Sequence, residues 1–500
     1  MSRVELDDIQ GLVRFAYKNL TEAVFLLLQV RDAVAARAWL AQVAPANAVS
    51  RIPPPSTAVQ IALTSQGLRA LGIDADTINA FSSEFVAGMA GDSSRSRRLG
   101  DLGSSDPSQW QWGASDRLPD AAVLLYAAPG RLEDLQRTIE TQCSSGFQII
   151  ERLATSDMGG REPFGFVDGI SQPELDWDRK RPAQDSTQLT YINLSCLGEF
   201  LLGYPNEYGL YTPRPLLAPS KDRLGILPRA EDATDCADLG RNGSYLVIRQ
   251  LRQNVPAFWQ ALDQYVRGVA ADRDLLAAAL VGRTLSGEPL EPVQDAASES
   301  SATSVTVPPP QFNAFDYRSD PQGTRCPLGA HVRRANPRNA DFPPGSGPIL
   351  SRLARTLGLN ATARTLDLEA STRFHRLLRR GREYGVSMTT AEALASQSDV
   401  RDQGLQFICL NANLQRQFEF VQSAWLMGSK FDGLHDESDP LLGNRIADKG
   451  GLSTDNLSLP QADGPCRRLT SLPQFITVLG GAYLFLPGIR ALRFLSSAHA

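Results

Sequence analysis

Short apolar runs alternate with amphipathic stretches in the first third of the chain. Four apolar runs predict strands, at Ala23–Val30, Val59–Leu63, Ala121–Ala127 and Phe147–Ala154. Three stretches with helical periodicity or a capping residue predict helices, at Val34–Val43, Ser65–Leu71 and Arg131–Gln142. The polar segment Ser93–Arg98 is predicted to be a loop. The order of these elements, β-α-β-β-α-β, is that of a ferredoxin-like domain.

The same order recurs later in the chain. Four more strands are predicted, at Tyr245–Leu251, Arg373–Arg379, Leu405–Leu410 and Ala482–Leu486. Two helices are predicted between them, at Pro256–Val269 and Gln415–Leu426. We therefore expect an α+β fold of two duplicated ferredoxin-like domains with antiparallel sheets, formed by residues 1–205 and 206–500. Each open sheet leaves one face to bury, and a flat ligand between the domains would help to bury it.

The composition excludes several classes of protein. The 500 residues are 42% hydrophobic and carry a net charge of −5, which fits a folded core and argues against a dedicated nucleic-acid binder. No apolar run approaches the roughly 18 residues that a membrane span needs. The acidic start of the chain is unlike a signal peptide. A cytoplasmic protein without nucleic-acid or membrane partners is expected.

Cysteine, histidine and lysine are all few. The six cysteines form no Cys-x-x-Cys pair, and only four histidines occur. Five of the 50 basic residues are Lys and the rest are Arg, which reflects either genome composition or Arg side chains that hold ligand carboxylates. Two polar stretches, Asp295–Thr306 and His435–Asp455, are predicted to be loops without a chemical role.

The first candidate for chemistry is Asp168, which lies between two glycines in Gly165-Phe-Val-Asp-Gly169. Glycine at such positions allows positive φ and a close approach of a ligand to the backbone. Apolar neighbours could raise the pKa of the carboxyl for acid–base work. The alternative is a turn aspartate that accepts hydrogen bonds from its own backbone.

Two further segments carry a histidine and paired arginines. His331 precedes three arginines and the turn Asn336-Pro-Arg338, a composition that suits an axial haem ligand near propionates or, alternatively, a structural histidine. On the predicted strand before Gly381, strand alternation places Arg379 and Arg380 on opposite faces. One of them should point inward toward an anionic partner, unless the strand is a solvated basic edge.

Together these segments resemble the dye-decolorising peroxidase family. Gly165–Gly169 is similar to the Gly-x-x-Asp-Gly signature of that family, Gly329–His331 with Asn336–Arg338 to its proximal haem segment, and Leu377–Gly381 to its distal arginine strand. Further similar blocks occur along nearly the whole chain, at Asp8–Gly11, Gly198–Gly209, Leu239–Tyr245 and Gly480–Tyr483. The long insertions resemble the larger members without a secretion signal.

The resemblance implies a haem b peroxidase with one haem per chain, held between sheet and helices. Hydrogen peroxide would be reduced, and dyes, phenols or other aromatic reductants oxidised in one-electron steps. His331 is then the iron ligand, Asp168 the catalytic acid–base group, and Arg379 the catalytic cation. The haem contacts implied by the motifs are His331, Gly169, Ile170, Asn336, Arg338 and Arg379.

Some alternatives stay open at this point. A haem-binding storage or iron-release protein on the same scaffold would carry the same segments, and an α+β protein without haem would use His331 structurally. Trp177 is either a relay of electrons from bulky substrates or an ordinary, partly exposed aromatic residue. The physiological reductant, the partner of the second His331 nitrogen and assembly into a homo-oligomer are not determined by the sequence.

Overall fold

The computed structural model describes residues 3–180, 193–292, 310–338, 371–397, 401–445 and 453–497. Within these ranges no helix combines the length and the apolar composition that crossing a membrane requires. The predicted loop Asp295–Thr306 lies outside the described residues.

A nine-stranded sheet forms the centre of the molecule. Its strands are β1 Glu22–Val30, β2 Thr57–Leu63, β3 Ala121–Ala127, β4 Phe147–Ala154, β5 Ser244–Gln253, β6 Leu378–Arg379, β7 Arg382–Tyr384, β8 Gly404–Asn411 and β9 Ile476–Leu486. The spatial order is β6-β8-β5-β9-β2-β3-β1-β4, with β7 also paired to β8, and neighbouring strands are antiparallel.

The strand order confirms the predicted duplication. In each half, the second strand lies at one end, followed by the third, the first and the fourth, which is the ferredoxin-like arrangement. The two half-sheets join through β9 and β2, where the register contains the single pair Phe485 and Leu63.

The strands are nearly continuous apolar runs because both faces of the sheet are covered. Along β1, Val24, Leu26 and Leu28 pack into one core cluster, while Phe25 and Leu27 pack into the cluster on the other face. Every residue of β3 is buried.

Helices and short strand pairs surround the sheet. The α-helices of the described residues are Ala33–Gln42, Ser65–Ala70, Ala75–Asn79, Ser83–Ala87, Ser93–Leu99, Leu132–Cys143, Val255–Tyr265, Ala270–Val281, His331–Ala335, Thr390–Ala395 and Ile489–Ser497. Short 3₁₀ turns occur at Gly11–Val13, Gly103–Ser105, Pro107–Gln109, Ser115–Arg117, Leu197–Glu199, Pro219–Lys221, Pro310–Asn313, Ser371–His375 and Phe431–Gly433. Small strand pairs are formed by Glu174–Leu175 with Leu194–Ser195, by Leu216–Leu217 with Ala237–Asp238, and by Leu457–Leu459 with Arg467–Leu469.

Three local predictions need correction. Ser93–Leu99 is a helix and not a loop, because the Asp92 carboxylate accepts a hydrogen bond from the Arg95 amide (2.7 Å) and caps its start. The predicted strand Arg373–Arg379 is mostly the 3₁₀ turn Ser371–His375, and only Leu378–Arg379 is paired. The predicted helix at Gln415–Leu426 is present, but it has π-helical hydrogen bonding in two pieces, Gln415–Glu419 and Val421–Leu426.

The two ends of the sheet approach each other just after β4. The Ser156 amide donates to the Glu383 carbonyl on β7 (2.8 Å), and the Ser156 hydroxyl donates to the Gly385 carbonyl (2.6 Å). The chain then continues into the segment that contains Asp168. This contact therefore brings Asp168, from the first half, beside Arg379 on β6, from the second half.

Candidate active site

One large cavity lies between the sheet and the helices, and the predicted chemical residues meet there. Asp168, His331 and Arg379 all line it. Apolar side chains from β5, β8 and β9 form part of its wall, at Leu251, Leu405, Phe407, Ile476 and Val478. The helix Gln415–Leu426 adds Phe418, Val421 and Trp425.

Asp168 and Arg379 form an ion pair at the cavity wall. The Arg379 Nη1 donates to Asp168 Oδ1 at 3.1 Å, and the two side chains remain 33% and 37% exposed respectively. Burial by itself would raise the pKa of Asp168, but the charge and hydrogen bond of Arg379 and the amide of Gly169 lower it below its ordinary value. The carboxylate is thus held in the form that accepts a proton.

Backbone geometry and a buried carboxylate shape the loop that carries Asp168. Gly165 and Gly169 have φ angles of 100° and 76°, which favour glycine. The Glu162 carboxylate accepts hydrogen bonds from the amides of Phe164 (3.1 Å) and Phe166 (3.0 Å). Burial raises the pKa of Glu162 to about 7. No sequence motif marks Glu162, because its capping role depends on the turn that it closes.

Arg379 is oriented by its backbone as well as by Asp168. Its backbone amide donates to Gln172 Oε1 at 3.0 Å. Gln172 therefore holds the backbone of Arg379, while Asp168 holds its guanidinium. Arg380 points away from the cavity and is buried, where it donates to the carbonyls of Leu12 (2.7 Å) and Val13 (2.9 Å). The prediction that Arg379 and Arg380 point to opposite faces of the strand is confirmed. The alternative, a basic edge strand exposed to solvent, is not what the two side chains form.

His331 begins a short helix and pairs with a fully buried carboxylate. Its Nδ1 lies 2.9 Å from Asp439 Oδ2, and Asp439 Oδ1 accepts from the amides of Leu441 and Leu442. Burial would lower the pKa of His331, but the charge of Asp439 raises it. With Nδ1 bound to Asp439, the neutral ring has its free electron pair on Nε2.

Asp439 corrects the prediction that His435–Asp455 has no chemical role. The carboxylate is 108 positions from its histidine partner, and no periodic pattern in its segment marks it as buried. The one sequence feature that indicates burial of Asp439 is its position just before Pro440-Leu-Leu442, and this feature is weak.

The chain is similar to known peroxidases over most of its length, although no family model matches it. The multifunctional dye peroxidase DyP2 of Amycolatopsis is 29% identical over 457 residues, which cover 87% of this chain and 81% of the relative. The dye-decolorizing peroxidase AauDyP1 of Auricularia auricula-judae is 28% identical over 512 residues, which cover 97% of this chain and 86% of the relative.

Solved structures agree in fold. A dye-decolorizing peroxidase in complex with 2,6-dimethoxyphenol has a TM-score of 0.71 and 24% identity, covering 99% of this chain and 100% of that chain. The DyP-type peroxidase of Anabaena has a TM-score of 0.69 and 22% identity, and the match covers 98% of this chain and 94% of that chain. The chain is thus similar to dye-decolorising peroxidases over most of its length and in its fold.

The remaining residues implied by the dye-decolorising peroxidase motifs occupy two kinds of position. Ile170 and Asn336 line the cavity, whereas Gly169 and Arg338 lie outside its described lining. Arg338 is fully buried and donates to the carbonyls of Asn313 and Phe315, both at 2.8 Å. Trp177 lies outside the cavity lining, with the Arg14 guanidinium 5.6 Å from its ring, and its relay role stays a prediction.

The metal-binding side chains of the cavity suit a metal ion that receives most of its ligands from a cofactor. Among the described residues, no group of three or more His, Cys, Asp and Glu side chains could hold a bare ion. A second imidazole, His375, also lines the cavity, but its Nδ1 bonds to the Arg416 carbonyl and burial lowers its pKa to about 4. A single histidine with its lone pair on Nε2, in a large apolar cavity, is compatible with a planar macrocycle that supplies the remaining ligands, as in the dye-decolorising peroxidases.

Proposed function

We propose that the protein is a haem b peroxidase that reduces hydrogen peroxide and oxidises phenols, dyes and related aromatic compounds. The observation that carries this proposal is the meeting of an ionised Asp168–Arg379 pair and a carboxylate-bound His331 in one cavity. The relatives and the phenol complex described above support the substrate class.

His331 would bind the iron through Nε2, with Asp439 fixing the orientation of the ring. Ile170, Asn336 and the apolar side chains of the cavity would contact the ring system. When bound, haem supplies an iron centre that peroxide can oxidise and that organic reductants can then reduce in single-electron steps.

Asp168 accepts a proton from hydrogen peroxide and returns it to the oxygen that leaves as water. Arg379 stabilises the negative charge that develops on the peroxide oxygens. In sum, one hydrogen peroxide and two phenols give two waters and two phenoxyl radicals. Each phenol loses one electron and one proton, so atoms and electrons balance.

An absorption spectrum of the purified protein tests the proposal. A Soret band is expected in the wild type, and His331→Ala should lose most of the bound haem because the residue that would bind the iron is removed. His375→Ala is the matched control, since His375 is the other imidazole of the cavity and its loss should leave His331 in place. Equal haem content in His331→Ala and the wild type would contradict the assignment.

Measured turnover separates a peroxidase from an iron-release or storage protein. We expect sustained oxidation of 2,6-dimethoxyphenol upon addition of peroxide, with the haem intact. Release of iron from the haem without turnover would favour the alternative. A cytoplasmic location stays a prediction, as does assembly into a homo-oligomer.

A further inference from the structure

Glu383 on β7 is a partly buried acidic residue just outside the cavity lining. Its partner across the sheet is Leu405 on β8, and residues directly opposite each other in an antiparallel pair lie on the same face. Leu405 lines the cavity. Arg379, which also lines the cavity, lies earlier along the same edge of the sheet. Glu383 therefore lies on the cavity face of the sheet.

The segment that leads to Asp168 crosses the same edge. It is held at its start, where the Ser156 amide donates to the Glu383 carbonyl (2.8 Å), and at its end, where the Arg379 guanidinium donates to Asp168 (3.1 Å). Asp157, next to Ser156, is exposed to solvent, whereas Asp168 lines the cavity. Glu383 is thus placed between an exposed carboxylate and the cavity carboxylate.

Glu383 forms no ion pair among the described residues. The adjacent Arg382 points to the other face of the strand, where it donates to the Tyr17 carbonyl (2.9 Å). Burial and the charges of Asp168 and Asp157 raise the pKa of Glu383 to about 7, while the charge of Arg382 lowers it. In weak acid, Glu383 is therefore protonated beside an ionised Asp168.

The proposed reaction consumes protons that peroxide itself does not supply. Asp168 returns the proton of peroxide to the oxygen that leaves as the first water, so this step needs no proton from outside. The second oxygen takes up two electrons and two protons before it leaves as water. A phenol releases its proton where it is oxidised, so these two protons need a route to Asp168.

We propose that Glu383 passes protons from solvent to Asp168 during each turnover. The inference rests on the proposed peroxidase function and adds a proton route to its site. The Glu383 carboxyl group gives its proton to the Asp168 carboxylate and then takes another from the solvent beside Asp157. Each transfer moves one proton, and two transfers complete the second water. Glu383 acts through Asp168 and does not touch peroxide.

Comparing kcat with kcat/KM for peroxide tests this role. In Glu383→Gln, kcat for 2,6-dimethoxyphenol oxidation should fall about 10-fold, less than the about 10²- to 10⁴-fold that a group acting directly on the substrate contributes. The value of kcat/KM for peroxide should not change, because Asp168 recycles the proton of peroxide. The wild-type kcat should decline as the pH rises through the pKa of Glu383, about 7, and Glu383→Gln should lack this decline.

Two kinds of rescue separate proton transfer from packing. Glu383→Asp keeps the carboxyl group on a shorter side chain, and it should recover more of kcat than Glu383→Gln, which keeps the shape. Acetic acid added at constant pH should raise kcat of Glu383→Gln and leave the wild type unchanged, since a small acid can carry protons to the same place. A wild-type kcat in Glu383→Gln, or an equal fall in kcat and kcat/KM without rescue, would overturn the proposal.

Asp402→Asn is the matched control. Asp402 is exposed near the same edge, but its charge acts on Tyr384, which alternates to the other face of β7. Asp402→Asn removes one carboxylate from this edge and should leave kcat and its pH dependence unchanged. A loss as large as that of Glu383→Gln would show that the charge of the edge matters and that Glu383 has no special role.

Infrared spectra of the purified proteins report on Glu383 without turnover. Below the pKa of about 7, the carbonyl band of protonated carboxyl groups should be stronger in the wild type than in Glu383→Gln. No difference at any pH would contradict the proton route. If Glu383→Gln does not fold, Glu383→Asp and the pH dependence of the wild-type kcat carry the test. Failure of the wild type to bind haem or oxidise the phenol would instead contradict the proposed function.

Discussion

Asp168 and Arg379 set each other's chemistry through a single contact. The carboxylate has enough apolar surroundings to lose its charge, and the guanidinium 3.1 Å away prevents this. In the proposed reaction, the pair would combine a proton acceptor that works in acid with a cation that stabilises an anionic substrate.

Removing the Arg379 charge should change the pH dependence as well as the rate. Asp168 accepts a proton only when ionised, so activity falls as the pH drops through its pKa, which lies below the ordinary value. In Arg379→Leu burial is no longer offset, and the acid limb of the pH–rate profile should move upward by about 1–3 units. The rate should fall about 10²- to 10³-fold. Steady-state oxidation of 2,6-dimethoxyphenol between pH 2 and 7 measures both.

Arg380→Leu removes the same charge from the adjacent position and serves as control. Arg380 bonds to the carbonyls of Leu12 and Val13, so its loss should lower the free energy of unfolding by about 1–3 kcal/mol. The acid limb should stay in place. An unshifted limb in Arg379→Leu would show that Arg379 does not govern the ionisation of Asp168.

At this scale the sequence predicted the residues that lie within recognisable motifs. Asp168, His331 and Arg379 do share one cavity. Asp439 escaped prediction because its role follows only from its contact with His331, which lies far away along the chain.

At the scale of secondary-structure elements, the turn at residues 283–289 positions the loop Gly165–Gly169, which carries Asp168. The Val167 amide and the Arg161 side chain donate to the Leu285 carbonyl (3.3 and 2.9 Å). Gly287 has a φ of 88° and packs so closely that an added Cβ would lie 2.4 Å from Ile170 Cδ1. The turn and the loop therefore form one packed unit.

Gly287→Ala should slow the reaction with peroxide because Ile170, which lines the cavity beside Asp168, must move. Gly268→Ala is the control, since Gly268 has a similar φ of 80° but its added Cβ would have nothing nearer than 4.0 Å. Both variants should lose about 1–2 kcal/mol of unfolding free energy from backbone strain. Only Gly287→Ala should lose peroxidase activity beyond its stability loss, and equal rates in the two would contradict this.

Regular elements were predictable wherever their own residues determine them. The strands of both halves follow from apolar runs that are buried on two faces. The conformation of the segment before Arg379 could not be predicted in this way, because it is determined by contacts to distant residues. His375, for example, stacks on Phe420 with ring centres 3.7 Å apart, which favours the 3₁₀ turn over a strand.

On the scale of the whole molecule, the cavity is built by both halves. Asp168 comes from residues 1–205, while His331 and Arg379 come from residues 206–500. The strand ladders of the two half-sheets join through the short pairing of β2 with β9. The boundary at residue 205 is a prediction from the sequence, and it can be tested directly.

Co-expressed fragments 1–205 and 206–500 should assemble and show a Soret band, whereas neither should bind haem stably alone. The physical reason is that each fragment keeps a complete four-stranded ferredoxin-like order but only part of the cavity wall. A cut after Leu124, inside β3, is the control and should prevent assembly. Stable haem binding by 206–500 alone would contradict the shared cavity.

The contact between Ser156 and β7 has a consequence for self-association. Strands β6 and β7 lie at an end of the sheet, where unpaired backbone groups could recruit a strand from another molecule. Here Gln172 occupies the amide of Arg379, and Ser156 occupies the carbonyls of Glu383 and Gly385. The segment that carries Asp168 thus also covers an aggregation-prone edge. Damage that displaces it would cost the protein its solubility together with its chemistry.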